Sequence, residues 1–482
     1  MAPIRASPEA HQQLVTTELA LVLGYALGLV ALGILIGRRV GSAKQFFVAG
    51  RSLGPVLLGA TLLAANIGAG STVGAAALGY EYGISAWWWV GSAGIGTLLL
   101  AFWVGPAIWQ TARDHDLLTV GDYLEWRYDA RARFTATLLL WAISPAVLAA
   151  QLIAVAFILN AVAGVPLLWG AVIAGVVVTV YFTAGGLVSS AWVNLVQLVV
   201  LGIGLVVAIP VVADRAGGWS AVVSTYGLEA EFDALVHSYG PGWHYAIFLV
   251  PAFMVSPGLL QKVYGARDPR AIRLGVGIAG IALLLFAAVP VYLGMYGRVW
   301  DSSLVGDATS FALPTVLTLG MPLLLGTLGL AAVFSAEISS ADAVLFMFST
   351  SLSEDLYRRF VNPDASDAEV LRVARVGAIL GGVAGTALAV GLGSVITALR
   401  IFYGLLSVGL FVPVIGGLLW RRAGGAAGVV ATLGGITGYL VGHLVFDLPA
   451  RAALSPASLG LAVSATAFLV AGLAATDKAR AA

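Results

Sequence analysis

Residues 322–357, PLLLGTLGLAAVFSAEISSADAVLFMFSTSLSEDLY, read as one helix long enough to cross a bilayer. Yet Ser335, Glu337, Ser339, Ser340 and Asp342 crowd its centre. Carboxylates at that depth cost roughly 2.5–3.5 kcal/mol each on insertion scales, so a plain anchor would not carry two. At about 100° per residue, Ala336, Ser339, Ser340 and Ala343 share one narrow face, with Glu337 flanking it on one side and Asp342 on the other. Small side chains let another backbone approach closely. The hydroxyls offer hard oxygen ligands to a small cation. The plainer reading has serines joining helices and acids pairing with buried bases. It is weakened because few basic residues lie at matching depth elsewhere.

The remaining composition agrees with a membrane setting. The chain has 482 residues, is 60% hydrophobic and only 10% charged, far from the soluble globular range. Its many long apolar runs predict an all-α polytopic protein of the lipid bilayer. No gap between the runs is long enough for a soluble domain. Cysteine is absent, which excludes disulfides and thiolate chemistry. The five histidines form no ligand pair. No phosphate-binding Gly-x-x-x-x-Gly-Lys-Ser/Thr is present, so direct ATP drive is not expected. GSAGIG at 91–96 lies inside an apolar helix and reads as helix packing. With no His pair, Ser/Lys dyad or metal cluster, the chain does not read as an enzyme. No nucleic-acid partner is expected.

Thirteen spans are expected. The first, 17–37, is followed by Arg38 and Arg39 and by no small-residue cleavage site, so it reads as a retained helix. The second, 55–79, has a Gly- and Ala-rich centre, AANIGAGS (64–71), suited to local unwinding. The third, 86–112, carries Trp87, Trp88 and Trp89, which mark a membrane interface or, alternatively, a solute wall. Residues 113–133 read as a loop. Spans follow at 134–162, 166–183 and 189–213, then an acidic loop at 214–243. The span 244–263 is interrupted by Pro251 and by Ser256-Pro257-Gly258, which free backbone carbonyls to line a cavity. The last six lie at 271–297, 322–353, 368–391, 395–420, 424–446 and 457–475.

Basic residues test this count. With the N-terminus outside, the inner loops and adjoining span ends hold 20 of the 25 lysines and arginines. That asymmetry predicts an outer N-terminus and a cytoplasmic C-terminus in the cell's inner (plasma) membrane. The two interrupted spans, 55–79 and 244–263, lie five helices apart, so two such units would have opposite topology. The expected divisions are 1–54, an extra helix and inner loop; 55–213, the first five-helix repeat; 214–422, the second; and 423–482, two final helices.

FFVAGRSLGP (46–55), TVGDYLEWRY (119–128), TAGGL (183–187) followed by Trp192 and Gln197, and SEDLY (353–357) occur in order and at matching spacing. Together they resemble the sodium:solute symporter family, from about residue 40 to residue 422. The resemblance implies a LeuT-type fold: a five-plus-five inverted repeat, here with one helix before it and two after. It also implies a principal sodium (Na+) site made by the carbonyls of Ala64, Ile67 and Ala336 and the hydroxyls of Ser339 and Ser340. Some members have a second sodium site. Its aspartate position reads Asn194 here, and its hydroxyl positions read Asp342 and Ala343. Asp342 then coordinates a second cation, carries a proton, or only hydrogen-bonds Asn194 and tunes the first site. Glu337 pairs with a base such as Arg400 or faces a water-filled inner path.

The family carries many solutes. Positions facing sugar in sugar-transporting members read Leu249 and Ala252, which disfavours a sugar. Candidate wall residues are Asn66, Ser71, Trp88, Gln151, Ser256 and Tyr403. Free N–H groups at the helix restart near Gly68–Ser71 would favour a small carboxylate or amino acid. The expected function is sodium-coupled import of a small organic solute by alternating access. A proton- or dual-ion-coupled carrier is the alternative. A membrane sensor is a further one, and with few polar residues after the last span it would need a separate partner.

Overall fold

The computed structural model describes residues 49–183, 186–227, 231–236, 242–449 and 452–481, with Gly24, Gly28, Ala31 and Leu35. Among the described residues every regular element is helical. Helices meet the demand that backbone polar groups in lipid be satisfied within their own segment. In order they are α1 (Pro55–Asn66), α2 (Ala75–Tyr82), α3 (Trp87–Leu99), α4 (Gly105–Asp114), α5 (Val120–Arg127), α6 (Ala130–Ala163), α7 (Leu167–Thr183) and α8 (Gly186–Ala216). There follow α9 (Trp219–Tyr226), α10 (Ala246–Val255), α11 (Pro257–Tyr264), α12 (Pro269–Phe286), α13 (Ala288–Trp300) and α14 (Ala312–Leu319). The last are α15 (Leu323–Thr350), α16 (Asp367–Leu392), α17 (Val395–Leu419), α18 (Gly425–Leu444) and α19 (Pro456–Ala481).

Ten stretches among the described residues are long and apolar enough to cross a membrane, with Pro55–Asn66 and Leu167–Val180 as shorter apolar helices. The expected first span, 17–37, lies outside the described residues apart from its four named positions.

Both expected breaks occur. α1 stops at Ile67 (φ −99°, ψ 101°), and a π-helical turn, Gly70–Gly74, leads into α2. α10 stops at Ser256 (φ −54°, ψ 122°), and Pro257 opens α11 at the position where a missing N–H costs least. Pro251, also expected to interrupt this span, lies inside a continuous α10. Its ring follows the helix's first turn, and the real break falls where ψ becomes extended.

Other expectations are corrected. TVGDYLEWRY contains α5 where a loop was expected. Thr119 Oγ1 accepts from the Asp122 N–H at 2.9 Å, and Asp122 Oδ2 accepts from the Thr119 N–H at 3.0 Å. This capping box holds a helix too short and polar to show hydrophobic periodicity. Likewise α9 lies within the expected acidic loop, and α14 lies between two expected spans.

α15 is the buried centre. From Gly329 to Ala343 every residue is buried, with α6, α8 and α16 packed around it and α1 and α11 against it. α1 meets α12 backbone to backbone: a Cβ on Gly275 would lie 2.5 Å from the Pro55 carbonyl oxygen. Leu53 is tied to the end of α11. Its N–H donates to Gly265 O at 3.0 Å, and its carbonyl accepts from the Arg267 N–H at 3.1 Å. This makes the parallel bridge between Leu53 and Ala266.

Candidate ion and solute site

The break in α1 lies against the small face of α15. Ser339 Oγ is 3.1 Å from Ala64 O and 2.9 Å from Ala336 O. Ser340 Oγ is 3.0 Å from Ile67 O and 3.3 Å from Ala64 O. All five expected sodium-site groups therefore converge in one buried cluster. Unwinding supplies the carbonyls: with Ile67 extended, nearby carbonyls no longer all accept helical N–H groups. Each serine hydroxyl has one proton and more than one carbonyl within reach. With the proton directed to one carbonyl, its lone pairs remain available to a cation. Gly68 allows this fit, since a Cβ there would collide with Ser340 Oγ.

Asp342 lies on the same helix and is 4% exposed. The side chain of Asn194, its expected neighbour, lies outside the described residues. α11, which packs against α15, carries an unexpected buried base. Lys262, expected at an inner span end, is 1% exposed on α11, with its Nζ 3.5 Å from the Gly258 carbonyl oxygen. Lys262 and Arg133 are the buried bases among the described residues.

Glu337 does not pair with Arg400. Its Oε1 accepts from Thr72 Oγ1 at 2.6 Å, and its Oε2 has no partner among the described residues. It is fully buried and faces no open inner path. Arg400 instead donates to Tyr245 Oη at 2.7 Å.

Beside the oxygen cluster lies a cavity whose wall includes Asn66, Ser71, Gln151, Ser256 and Tyr403, together with Ser340. Five of the six expected solute-wall residues thus gather there. Trp88 does not; its neighbour Trp89 does. Three consecutive tryptophans point about 100° apart on a helix, so at most one faces a given neighbour. The expected free N–H groups are also corrected: Gly68 N–H donates to Ser71 Oγ at 2.9 Å, and Ala69 N–H to Gln151 Oε1 at 2.8 Å. Leu249 lines the cavity, while Ala252 is fully buried away from it.

The sodium:solute symporter family model matches residues 46–438 of the chain. The chain belongs to the sodium:solute symporter family. It is 28% identical over 433 residues to the sodium/pantothenate symporter of Escherichia coli (strain K12), covering 83% of this chain and 84% of that protein. It is 24% identical over 437 residues to the sodium/glucose cotransporter of Vibrio parahaemolyticus, covering 81% and 78%. A solved Na+-coupled sialic acid symporter, in a substrate-bound outward-open state, superposes with a TM-score of 0.78 at 21% identity. That likeness covers 95% of this chain and 98% of the other, and shows the LeuT-type fold.

In this symporter, two of the stretches that carry the resemblance meet away from the ion cluster. Arg133, 7% exposed in its side chain, contacts Asp122 at 2.8 Å, Glu125 at 2.9 Å and Asp355 at 2.9 Å. Thr119 Oγ1 also donates to Asp355. TVGDYLEWRY and SEDLY are thereby locked through one guanidinium. Burial pushes the Glu125 carboxyl up, but hydrogen bonds from Arg359 and Arg133 outweigh it and hold its pKa below the ordinary 4.5.

Proposed function

We propose that this chain imports a small organic solute together with sodium by alternating access. The observation that carries the reading is the convergence of the Ser339 and Ser340 hydroxyls with the carbonyls of Ala64, Ile67 and Ala336. Five neutral oxygens suit a hard monovalent cation that must be released in every cycle. An ion held there bridges the broken helix to α15, so it favours the arrangement in which the solute cavity beside it is formed.

The solute is a small carboxylate or amino acid. Its apolar body would lie against Trp89 and Phe253, and its polar groups would meet Asn66, Gln151, Ser256 and Tyr403. The positive end of the half-helix dipole at Gly68–Ser71 supports this class, although the first N–H groups there are internally bonded. Leu249 in the wall speaks against a sugar. The charge asymmetry supports an outer N-terminus and a cytoplasmic C-terminus in the plasma membrane, with repeats at 55–213 and 214–422 between the terminal segments 1–54 and 423–482.

The second reading is a dual-ion or proton-coupled carrier working through Asp342 and Asn194. The buried carboxyl of Glu337 beside the ion cluster favours it. Uptake into proteoliposomes separates the two. A panel of carboxylates, amino acids and sugars is offered with an inward sodium gradient or with choline. Sodium-driven uptake of one solute, sharply reduced in Ser340→Ala, is expected. Uptake that ignores sodium and collapses with a protonophore would establish proton coupling instead.

A further inference from the structure

We propose that a second cavity, between α10, α17, α18 and α19, binds one anionic phospholipid, with its phosphate held by the Arg400 guanidinium. This inference does not depend on which ion or solute the chain carries.

The cavity lies on the far side of α17 from the solute cavity. Leu399, Phe402 and Tyr403 face the solute cavity, whereas Arg400, Ile401 and Gly404 face this one. Successive residues about 100° apart divide between two neighbours in this way. The space is about 350 Å³, within the range of about 300–1,000 Å³ usual for ligand pockets. Its wall is largely apolar, from Phe248, Ile401, Leu405 and Leu440, and no Asp or Glu lines it among the described residues.

That leaves a cation short of partners. Arg400 donates to Tyr245 Oη at 2.7 Å and makes no other hydrogen bond among the described residues; its Nε is buried without a partner. Tyr245 therefore takes one of the guanidinium's five N–H donors. A half-buried positive charge facing an apolar space is costly unless an anion compensates it. A phosphodiester oxygen accepts strongly from a guanidinium. His443, exposed at the mouth, offers a further ring donor.

Placement favours a lipid over a free anion. Arg400 is five residues into the α17 span and His443 is next to last in the α18 span, so both donors lie near one end of the bundle, where a span meets water. Leu405 and Leu440 lie deeper along the same two helices. Ile401 is 37% exposed and Leu440 41%, which opens the cavity sideways past apolar side chains. An acyl chain descending from a phosphate at Arg400 would cover them and gain from it; a free anion would not. Basic pockets between membrane helices are suited to anionic head groups.

The test is native mass spectrometry of delipidated protein in detergent, mixed with phosphatidylglycerol or with phosphatidylcholine of the same acyl chains. One phosphatidylglycerol per chain should be retained, with a preference over phosphatidylcholine of about tenfold or more, the scale of a hydrogen bond to a charged group. Arg400→Gln should abolish that preference. Leu440→Trp, which fills the cavity from its open side and leaves Arg400 and Tyr245 in place, should weaken retention. Equal retention of the two lipids overturns the proposal, as does undiminished preference in a monodisperse Arg400→Gln. Displacement of the lipid by an equal concentration of glycerol 3-phosphate overturns it too, since the site would then take a free phosphate ester. Should Arg400→Gln fail to fold, Leu440→Trp decides: wild-type retention there overturns the proposal, and reduced retention supports it.

Discussion

The hydroxyl of Ser340 lies 3.0 Å from the carbonyl oxygen of Ile67, at the residue where α1 ceases to be a helix. This contact joins the two halves of the ion cluster, one from each interrupted or polar span. Replacing Ser340 with Ala removes one of five oxygens while leaving the small face of α15 intact. Sodium affinity is expected to fall about tenfold, equivalent to about 1.4 kcal/mol. Sodium titration of tryptophan fluorescence on purified protein checks it.

Gly68 is the narrowest point of that junction. A Cβ there would fall on Ser340 Oγ and lie 2.5 Å from Gln151 Oε1. Gly68→Ala therefore displaces an ion ligand and a cavity wall residue together. Overpacking of this kind costs about 1–3 kcal/mol. A thermal melt in detergent should show that loss, and sodium-dependent uptake should fall by more than in Ser340→Ala.

Trp88 and Trp89 are adjacent in sequence, but Trp89 alone of the two faces the cavity. Trp89→Ala is expected to raise the solute KM by about tenfold or more, in line with the loss of a buried aromatic contact. Trp88→Ala should leave the KM within about twofold. Equal effects of the two would mean that the cavity is not the solute site.

Arg133 is expected to be the most damaging of the charged positions to lose. Arg133→Ala leaves Asp122, Glu125 and Asp355 without their shared guanidinium. Breaking a buried ion pair by removing one partner costs about 3–5 kcal/mol. Thermal melts in a common detergent measure it.

Glu125 adds a pH dependence with a definite sign. Its pKa is held below the ordinary 4.5 in the folded protein. Its contribution to stability is therefore present above the unfolded value and is lost as the pH falls through the folded one. The melting temperature should drop on acidification below about pH 4.5. Arg359→Gln, which removes hydrogen bonds to Glu125 of 2.7 and 2.9 Å, should melt lower near neutrality and respond less to acid.

Much of this was legible in the chain because the membrane enforces long apolar runs. The 395–420 and 368–391 spans match α17 and α16 to within one residue at each end. The small face of α15 was readable because period and residue size act together there. What escaped were contacts made by turning. Lys262 reads as an inner anchor, yet it is 1% exposed on α11. Trp88 and Trp89 differ only in rotation. α5 is fixed by a capping box and by Asp355, which lies far away in sequence. Arg400 has a base's charge at a plausible depth, but Tyr245 takes its guanidinium and leaves Glu337 to Thr72.

The paired hydrogen bonds between Leu53 and the segment 265–267 bear on motion. Leu53 sits two residues before α1, and Gly265 directly follows α11, so the entry of one interrupted helix is stitched to the exit of the other. A swing of α11 would drag the start of α1 with it, and the carbonyls of Ala64 and Ile67 lie at the far end of that same helix. Ion seat and solute wall would then be worked by a single lever, pivoting against α15.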